Sequence, residues 1–157
     1  EVRILEQNIQ YTLHGETLEE TAFLKTSDNQ NYSMFVLPQY ELTAEEPNKD
    51  VLFFTDNDQI FMRIEILPKD VDWNSIEETT RAQLAAVNSE IISIQSPDHE
   101  FFKNSTALEA SSDRDLVRAY LVRNDLHPIK LTLFMKVNED HTDPFLKMAG
   151  TILDKQK

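Results

Sequence analysis

The sequence predicts a single α+β domain over residues 1–157, with a mostly antiparallel sheet and two helices packed on it. Apolar and polar residues alternate along residues 60–67, which is the two-residue period of a half-buried strand. An amphipathic run at helical spacing follows and ends near Asn88. The other apolar runs are short and separated by turn-forming residues, and short connections favour antiparallel neighbours.

The N-terminal part of the chain reads as strands joined by turns. Alternation over residues 9–13 predicts an edge strand that ends at residues 14–15. Residues 22–25 and 33–37 flank the turn-forming run SDNQN and therefore predict a hairpin. The stretch that follows, residues 39–50, is acidic and contains a proline, which predicts a surface loop.

The central helix after residues 60–67 is expected to start at a capping box. The Ser75 hydroxyl and the Glu78 carboxylate are spaced to satisfy free amides of a first helical turn. The apolar stripe of this helix is expected to cover the sheet. The predicted contact joins the stripe of Trp73, Ile76, Leu84 and Val87 to the strand residues Ile60, Met62, Ile64 and Ile66.

The remaining elements are strands and a second helix. β-Branched or alternating runs predict strands at residues 51–55, 91–95, 106–111, 116–124 and 129–137. In the last of these, Phe134 is the apolar exception on the polar face. Asp143 as N-cap and Pro144 at the first helical position predict a C-terminal helix packed on the sheet.

Composition excludes several function classes. Fifteen Lys and Arg stand against 28 Asp and Glu, and the formal net charge of −13 repels nucleic acid phosphates and anionic membrane surfaces. No apolar run approaches the roughly 20 residues of a membrane helix, so no membrane insertion of this segment is expected. The chain has no cysteine, which excludes thiol chemistry. Its two glycines are too far apart for a phosphate-binding loop.

The residues able to carry chemistry form no local motif. The histidines are His14, His99, His127 and His141. None has a second histidine within the roughly two to five residues typical of zinc ligands. We therefore expect no metal site, no cofactor and no catalytic residue. The loop from Asn138 to Asp143 is rich in oxygen ligands, so a weak site for a divalent ion is one interpretation of it. Helix capping by Asp143 is the simpler interpretation of the same residues.

Two groups of residues favour binding. Phe101 and Phe102 lie in an expected loop, where they either meet a partner or fold back onto the sheet edge. The second group is expected to share the sheet face opposite the central helix, where it either meets a ligand or is covered by the terminal helix. It consists of Arg63, Arg118, Tyr120, Lys130, Phe134 and Lys136.

A resemblance to a known family rests on the order of the elements. It is carried, over residues 31–154, by the runs YSMFVLPQYELT, VLFFTD, IFMRIEILP, WNSIEETTRAQL, LVRAYLVRN, IKLTLFMKV and PFLKMAGTIL. These runs resemble the PsbP-like superfamily, and the resemblance implies an α/β/α sandwich. The acidic balance, the missing cysteines and the start at Glu1 are most similar to the small surface lipoproteins of Gram-positive bacteria in that group.

The resemblance implies a function but assigns it to no residue. It implies a non-enzymatic binding or assembly module outside the membrane, at the cell surface or membrane-anchored, with a protein as its partner. A lipid anchor upstream of Glu1 is then expected. The alternatives are a small-molecule-binding domain and a hydrolase that uses dispersed Asp, Glu and His side chains.

Overall fold

The computed structural model of the protein describes residues 3–124 and 128–154. The first six strands are β1 (Glu6–Leu13), β2 (Glu16–Thr26), β3 (Tyr32–Val36), β4 (Tyr40–Glu46), β5 (Lys49–Phe54) and β6 (Asn57–Ile66). They are followed by helix α1 (Trp73–Ala85), β7 (Ile92–Ile94), a 3-10 turn (Glu100–Phe102), β8 (Ser105–Ser111), β9 (Asp115–Val122), β10 (Ile129–Lys136), helix α2 (Thr142–Ala149) and β11 (Leu153–Asp154).

The described strands form two antiparallel sheets. The first has the order β1-β2-β3-β11, and the second has the order β4-β5-β6-β10-β9-β8-β7. One apolar core contains side chains from both sheets and from α2. Met34 of β3, Met62 of β6 and Phe145 of α2 are all fully buried in it. The fold is therefore β-rich, with two sheets that share a core.

The predicted α+β class is wrong, and so is the α/β/α sandwich implied by the PsbP-like resemblance. The inward face of β6 shares its core with the first sheet, and α2 is the one α-helix that contributes side chains to that core among the described residues. Part of the reason is that residues 40–46, expected in a loop, form β4, which pairs with β5 from Tyr40 opposite Phe54. Because β4 is an edge strand, its acidic side chains stay exposed and do not oppose strand formation.

Helix α1 lies on the face of the second sheet opposite the one predicted. Its buried Leu84 packs with Leu108 and Ala110 of β8 and with Val117 and Ala119 of β9. The expected packing on the inward face of β6 is wrong, because that face points into the core shared by the two sheets. Of the residues in the predicted contact, Leu84 and Val87 lie in the cluster on the α1 side, Ile60, Met62, Ile64 and Ile66 lie in the shared core, and Trp73 and Ile76 belong to neither cluster.

Both helices begin at residues other than the predicted caps. Asp72 caps α1, because its carboxylate accepts hydrogen bonds from two amides of the first turn, one of them that of Ser75. The predicted capping box at Ser75 is therefore wrong. Helix α2 begins at Thr142, and the carboxylate of Asp143 accepts a hydrogen bond from the amide of Thr12 in β1. The predicted N-cap role of Asp143 is wrong for this reason.

Several strand predictions are confirmed. β1 is an edge strand, and β2 pairs antiparallel with β3 as the predicted hairpin. The strand at residues 60–67 is confirmed as the end of β6, with Ile60, Met62 and Ile64 buried on one face. Phe134 of β10 packs against the cluster that Leu84 of α1 forms with β8 and β9.

In the described part of the chain, no helix is long and apolar enough to cross a membrane.

Candidate functional site

The β1–β2 hairpin carries the first residue of the candidate site at its tip. His14 and Gly15 form the turn with φ angles of 53° and 80°. Glycine adopts this left-handed region freely, and histidine is one of the residues enriched there. The turn ends β1 and leaves 52% of the His14 side chain exposed.

The loop between β10 and α2 brings two more polar side chains to this hairpin. A turn follows β10, in which the amide of Glu139 donates to the carbonyl of Lys136. His141 comes immediately before α2. The carboxylate of Asp143 accepts a 2.6 Å hydrogen bond from the amide of Thr12, which fastens the start of α2 to the end of β1. The hairpin tip and the loop are thereby held side by side.

His14, Glu139 and His141 form the candidate site, which we call the His–Glu–His cluster. Oε2 of Glu139 lies 2.9 Å from Nε2 of His14 and 2.6 Å from Nε2 of His141. Three potential ligand atoms, one from each residue, lie within 4.8 Å of one another. His141 is fully buried, whereas 33% of the Glu139 side chain is exposed. The cluster therefore lies just below the surface, with His14 on the solvent side.

Aromatic side chains hold His141 in place. The hydroxyl of Tyr40 lies 2.6 Å from Nδ1 of His141. The ring of Phe54 lies 4.6 Å from the imidazole, and the ring of Phe145 lies 6.0 Å from it, measured between centroids. Since Tyr40 and Phe145 are themselves buried, the imidazole has little freedom to rotate.

Burial and hydrogen bonding set the charges of the cluster. Burial lowers the pKa of His141 and outweighs the neighbouring Glu139, whose hydrogen bond and charge raise it. Burial raises the pKa of Glu139, but the hydrogen bonds from His141 and His14 outweigh burial, so its pKa is lowered. At neutral pH the cluster thus contains an ionised carboxylate and a neutral buried imidazole, which are the forms that ligate metals.

Two imidazoles and one carboxylate are a ligand set for a divalent transition metal. Imidazole nitrogen suits zinc, copper, iron and nickel, whereas magnesium and calcium prefer oxygen ligands. Ligand atoms about 2.0–2.1 Å from a tetrahedral zinc ion are about 3.3 Å apart. The two short distances at Glu139 need to widen by less than about 1 Å to admit such an ion. Three protein ligands leave a further coordination position for water or a small ligand.

A cleft of about 740 Å³ adjoins the cluster on the side of His14. Arg118 lies in its wall, held by Glu109 through a 2.6 Å hydrogen bond from Nε and by Asp140 through a 3.3 Å hydrogen bond from Nη1. Tyr120 and Leu146 supply part of the apolar lining. The cleft gives a small molecule access to the exposed side of the cluster.

The predicted binding pair Phe101 and Phe102 is folded back onto the domain. Both rings belong to the 3-10 turn, and they pack edge to face with their centroids 4.9 Å apart. Phe102 is buried, lies 6.0 Å from the ring of Tyr120 and belongs to the shared core. Phe101 is partly buried and packs against the same core. The structure therefore brings these rings into the core and not onto an open surface.

The second predicted group does not share one face. Strand register places Arg118 beside Leu133 and Tyr120 beside Leu131, on the side of the shared core. Phe134 lies on the opposite, α1 side, where its ring stacks on Phe61 at 4.6 Å. The other members of the group on that side, by alternation along β6 and β10, are Arg63, Lys130 and Lys136. The predicted common face is wrong, because the side chains of Arg118 and Tyr120 point to one face of the sheet and that of Phe134 points to the other.

Sequence reasoning missed the His–Glu–His cluster because it searched for ligands close together in the chain. His14 and Glu139 are 125 residues apart. The one signal available was the loop from Asn138 to Asp143, which supplies Glu139 and His141 but looked like an oxygen-only site. Of the other histidines, His99 accepts a hydrogen bond at Nδ1 from the amide of Phe101, and His127 lies outside the described residues.

Comparisons with known proteins identify a family but no activity. A family model described as a domain of unknown function, DUF8580, matches residues 3–149. None of the curated proteins matches the chain. A crystal structure from Bacteroides thetaiotaomicron VPI-5482 is similar over 85% of this chain and 48% of its own chain, with a TM-score of 0.53 and 8% identity. This chain therefore spans about half of that protein, and the likeness concerns the fold alone.

Proposed function

The chain belongs to the DUF8580 family, and we propose that it is a non-enzymatic binding domain whose bound species is a divalent transition-metal ion of the zinc class. The observation that carries the proposal is the convergence of three ligand atoms, from His14, Glu139 and His141, within 4.8 Å. Two imidazoles with one carboxylate match the ligand preferences of zinc and its neighbours.

The surroundings of the cluster hold the ring of His141 at the position that a metal ligand would occupy. His141 is enclosed by aromatic rings and bonded at Nδ1, so its orientation is set by the fold. An outer partner at the second ring nitrogen is the usual companion of a metal-bound histidine. Glu139 and His14 are the ligands with room to adjust, because their side chains are 33% and 52% exposed.

A second candidate function is the binding of a small molecule, and the adjoining cleft favours it. His14 lines the cleft, so a ligand in it would lie next to the free coordination position of the metal. Metal and small molecule are then parts of one binding site. A location outside the membrane, as part of a lipoprotein with a protein partner, stays a prediction from the sequence.

Zinc binding tests the proposed function directly. The protein, stripped with a chelator, is titrated with zinc by calorimetry, and its unfolding temperature is measured with and without the ion. Because a ligand that binds only the folded state stabilises it by about 2.7 kcal/mol at 100 times its Kd, the unfolding temperature should rise. His14→Asn should abolish the rise, since asparagine tolerates the left-handed turn but its amide is too short to reach the site.

The matched control is His99→Asn, which changes a histidine outside the cluster in the same way. Asparagine keeps an acceptor for the amide of Phe101, so the 3-10 turn should persist and the zinc response should be unchanged. No zinc-dependent shift in the unmodified protein, or an equal shift in His14→Asn, would contradict the proposal. Turnover of an ester or phosphate substrate by the zinc-loaded protein would contradict its non-enzymatic part.

A further inference from the structure

Tyr40 occupies a position that the proposed function does not by itself explain. It opens β4, on the far side of His141 from Glu139, and only 6% of its surface is exposed. Its hydroxyl lies 2.6 Å from Nδ1 of His141. Its ring packs edge to face on Phe145 at 5.4 Å and against Phe54 at 5.6 Å. The hydroxyl is thus fixed in place by packing.

The contacts of His141 define where its proton lies without metal. An ionised carboxylate only accepts hydrogen bonds, so the 2.6 Å contact between Nε2 and Oε2 of Glu139 requires the proton on Nε2. A neutral imidazole then has a bare Nδ1, and the hydroxyl of Tyr40 donates to it. The metal-free cluster is therefore in the tautomer that presents no lone pair to a metal at Nε2.

Metal binding through Nε2 requires the other tautomer. The lone pair of Nε2 must face the ion, so the single imidazole proton must lie on Nδ1, where it needs an acceptor. A tyrosine hydroxyl is both donor and acceptor, and rotation of its O–H bond changes one role into the other without moving the ring. A side chain that only donates, or only accepts, at this position would favour one of the two states.

Resting on the proposed function, we infer that Tyr40 is the positioning residue of the metal site. Its hydroxyl donates to Nδ1 of His141 in the metal-free protein and accepts from Nδ1 in the metal-bound protein. His141 thereby changes tautomer and not charge when the ion binds. Nε2 gives up its proton to solvent and Nδ1 takes up one proton from solvent through the Tyr40 hydroxyl, which is itself reprotonated, so the imidazole stays neutral and no net proton is released.

Tyr40→Phe tests this inference, with Tyr11→Phe as the matched control. Both changes remove one tyrosine hydroxyl and keep the ring, and Tyr11 bonds to Glu20 and not to His141. Tyr40→Phe should weaken zinc binding by about 10–100-fold, the usual effect of losing an outer partner of a ligating histidine. Tyr11→Phe should leave the zinc affinity unchanged. Circular dichroism checks that both variants are folded.

The tautomer of His141 reports the direction of its hydrogen bond with Tyr40, and the affinities of the two tyrosine variants report whether that hydrogen bond supports metal binding. Long-range proton–nitrogen correlation NMR of His141 should show the proton on Nε2 in the metal-free protein and on Nδ1 with zinc. A proton on Nε2 in the zinc-bound protein would overturn the inference. Equal zinc affinity of the two tyrosine variants would overturn it while leaving the proposed function intact. Absence of zinc binding by the unmodified protein would overturn both.

Discussion

Nε2 of His14 and Oε2 of Glu139 lie 2.9 Å apart, although 125 residues separate them in the chain. The contact joins the tip of the β1–β2 hairpin to the loop before α2. It brings together the two ends of a 125-residue stretch of chain. The hydrogen bond from the amide of Thr12 to the carboxylate of Asp143 holds the same two parts of the fold together. A metal ion at this point would bind across a preformed junction, which lowers the ordering cost of binding.

The first prediction concerns the choice of metal. Zinc, nickel and cobalt(II) should each raise the unfolding temperature, whereas magnesium and calcium at the same concentration should not, because two of the three ligands are imidazoles. Thermal unfolding monitored by circular dichroism across the five ions measures this order. A shift with magnesium equal to that with zinc would point to non-specific binding by the acidic surface.

The second prediction concerns the packing of α1. Leu84→Ala should lower the free energy of unfolding by about 2–5 kcal/mol, because it leaves a cavity in a fully buried cluster. In denaturant-unfolding double-mutant cycles, Leu84→Ala should couple to Val117→Ala by about 0.5–3 kcal/mol. Its coupling to Ile64→Ala should be under about 0.5 kcal/mol, because Ile64 lies in the core shared by the two sheets, on the opposite face from α1. The reverse order would mean that α1 covers the other face of the sheet.

The third prediction separates the two neighbouring phenylalanines. Phe102→Ala should lower the free energy of unfolding by about 3–5 kcal/mol, since this ring is 3% exposed and packs beside Tyr120. Phe101→Ala should cost less, because that ring is only partly buried. Chemical denaturation of both variants measures the difference. Losses under about 1 kcal/mol for both would return the pair to the candidate binding surface.

The fourth prediction concerns the buried carboxylate of Asp50. Its Oδ2 accepts hydrogen bonds from Ser27, Gln30 and Tyr32 at 2.6–2.7 Å, and the residue is 1% exposed. Asp50→Ala should destabilise the protein by about 1–3 kcal/mol for each donor that stays unpaired. The exposed Asp58→Ala is the control and should change the free energy of unfolding by less than about 0.5 kcal/mol. Equal effects would show that the donors find other partners.

The fifth prediction is a loss of stability in alkali. Burial is the largest cause that raises the pKa of each of the four tyrosines, and it raises the pKa of Tyr120 to about 12. In the unfolded chain these hydroxyls ionise near the ordinary value of 10.0, whereas the folded protein keeps them neutral. The stability that these neutral tyrosines contribute should therefore be fully present below pH 10. The free energy of unfolding should fall as the pH rises from 10 through 12 and beyond.

Two measurements check the alkaline prediction. Denaturant unfolding at a series of pH values should show the decline, and tyrosinate absorbance should show that the folded protein does not titrate near its ordinary pKa. Tyrosines that ionise reversibly near pH 10 in the folded state would contradict the burial of all four hydroxyl groups.

The local pattern and the composition of the sequence were sufficient to predict many strands and to exclude several kinds of functional site. Alternation along residues 60–67 and 129–137 reports side-chain direction, which the pleat of a strand imposes on any sequence. Turn-forming residues between short apolar runs correctly indicated antiparallel hairpins, because a short link allows no crossover. The absence of cysteine and the scarcity of glycine exclude whole classes of site whatever the fold.

Only the tertiary structure decided which faces meet. Alternation shows that Ile60, Met62 and Ile64 share a face, but not whether a helix or another sheet covers it, since both offer apolar surface. The assignment of residues 40–46 to an edge strand likewise depends on pairing with β5, which overrides an acidic, loop-like composition.

The sequence by itself determined the local elements of this protein, its acidic character and the residue types available for chemistry. The tertiary structure alone decided the two-sheet fold, the burial of Phe102 and the His–Glu–His cluster. The physical reason is that side-chain periodicity acts over a few residues, whereas a metal ligand set depends on distances in space. Closing the 125-residue separation between His14 and Glu139 is a property of the whole fold.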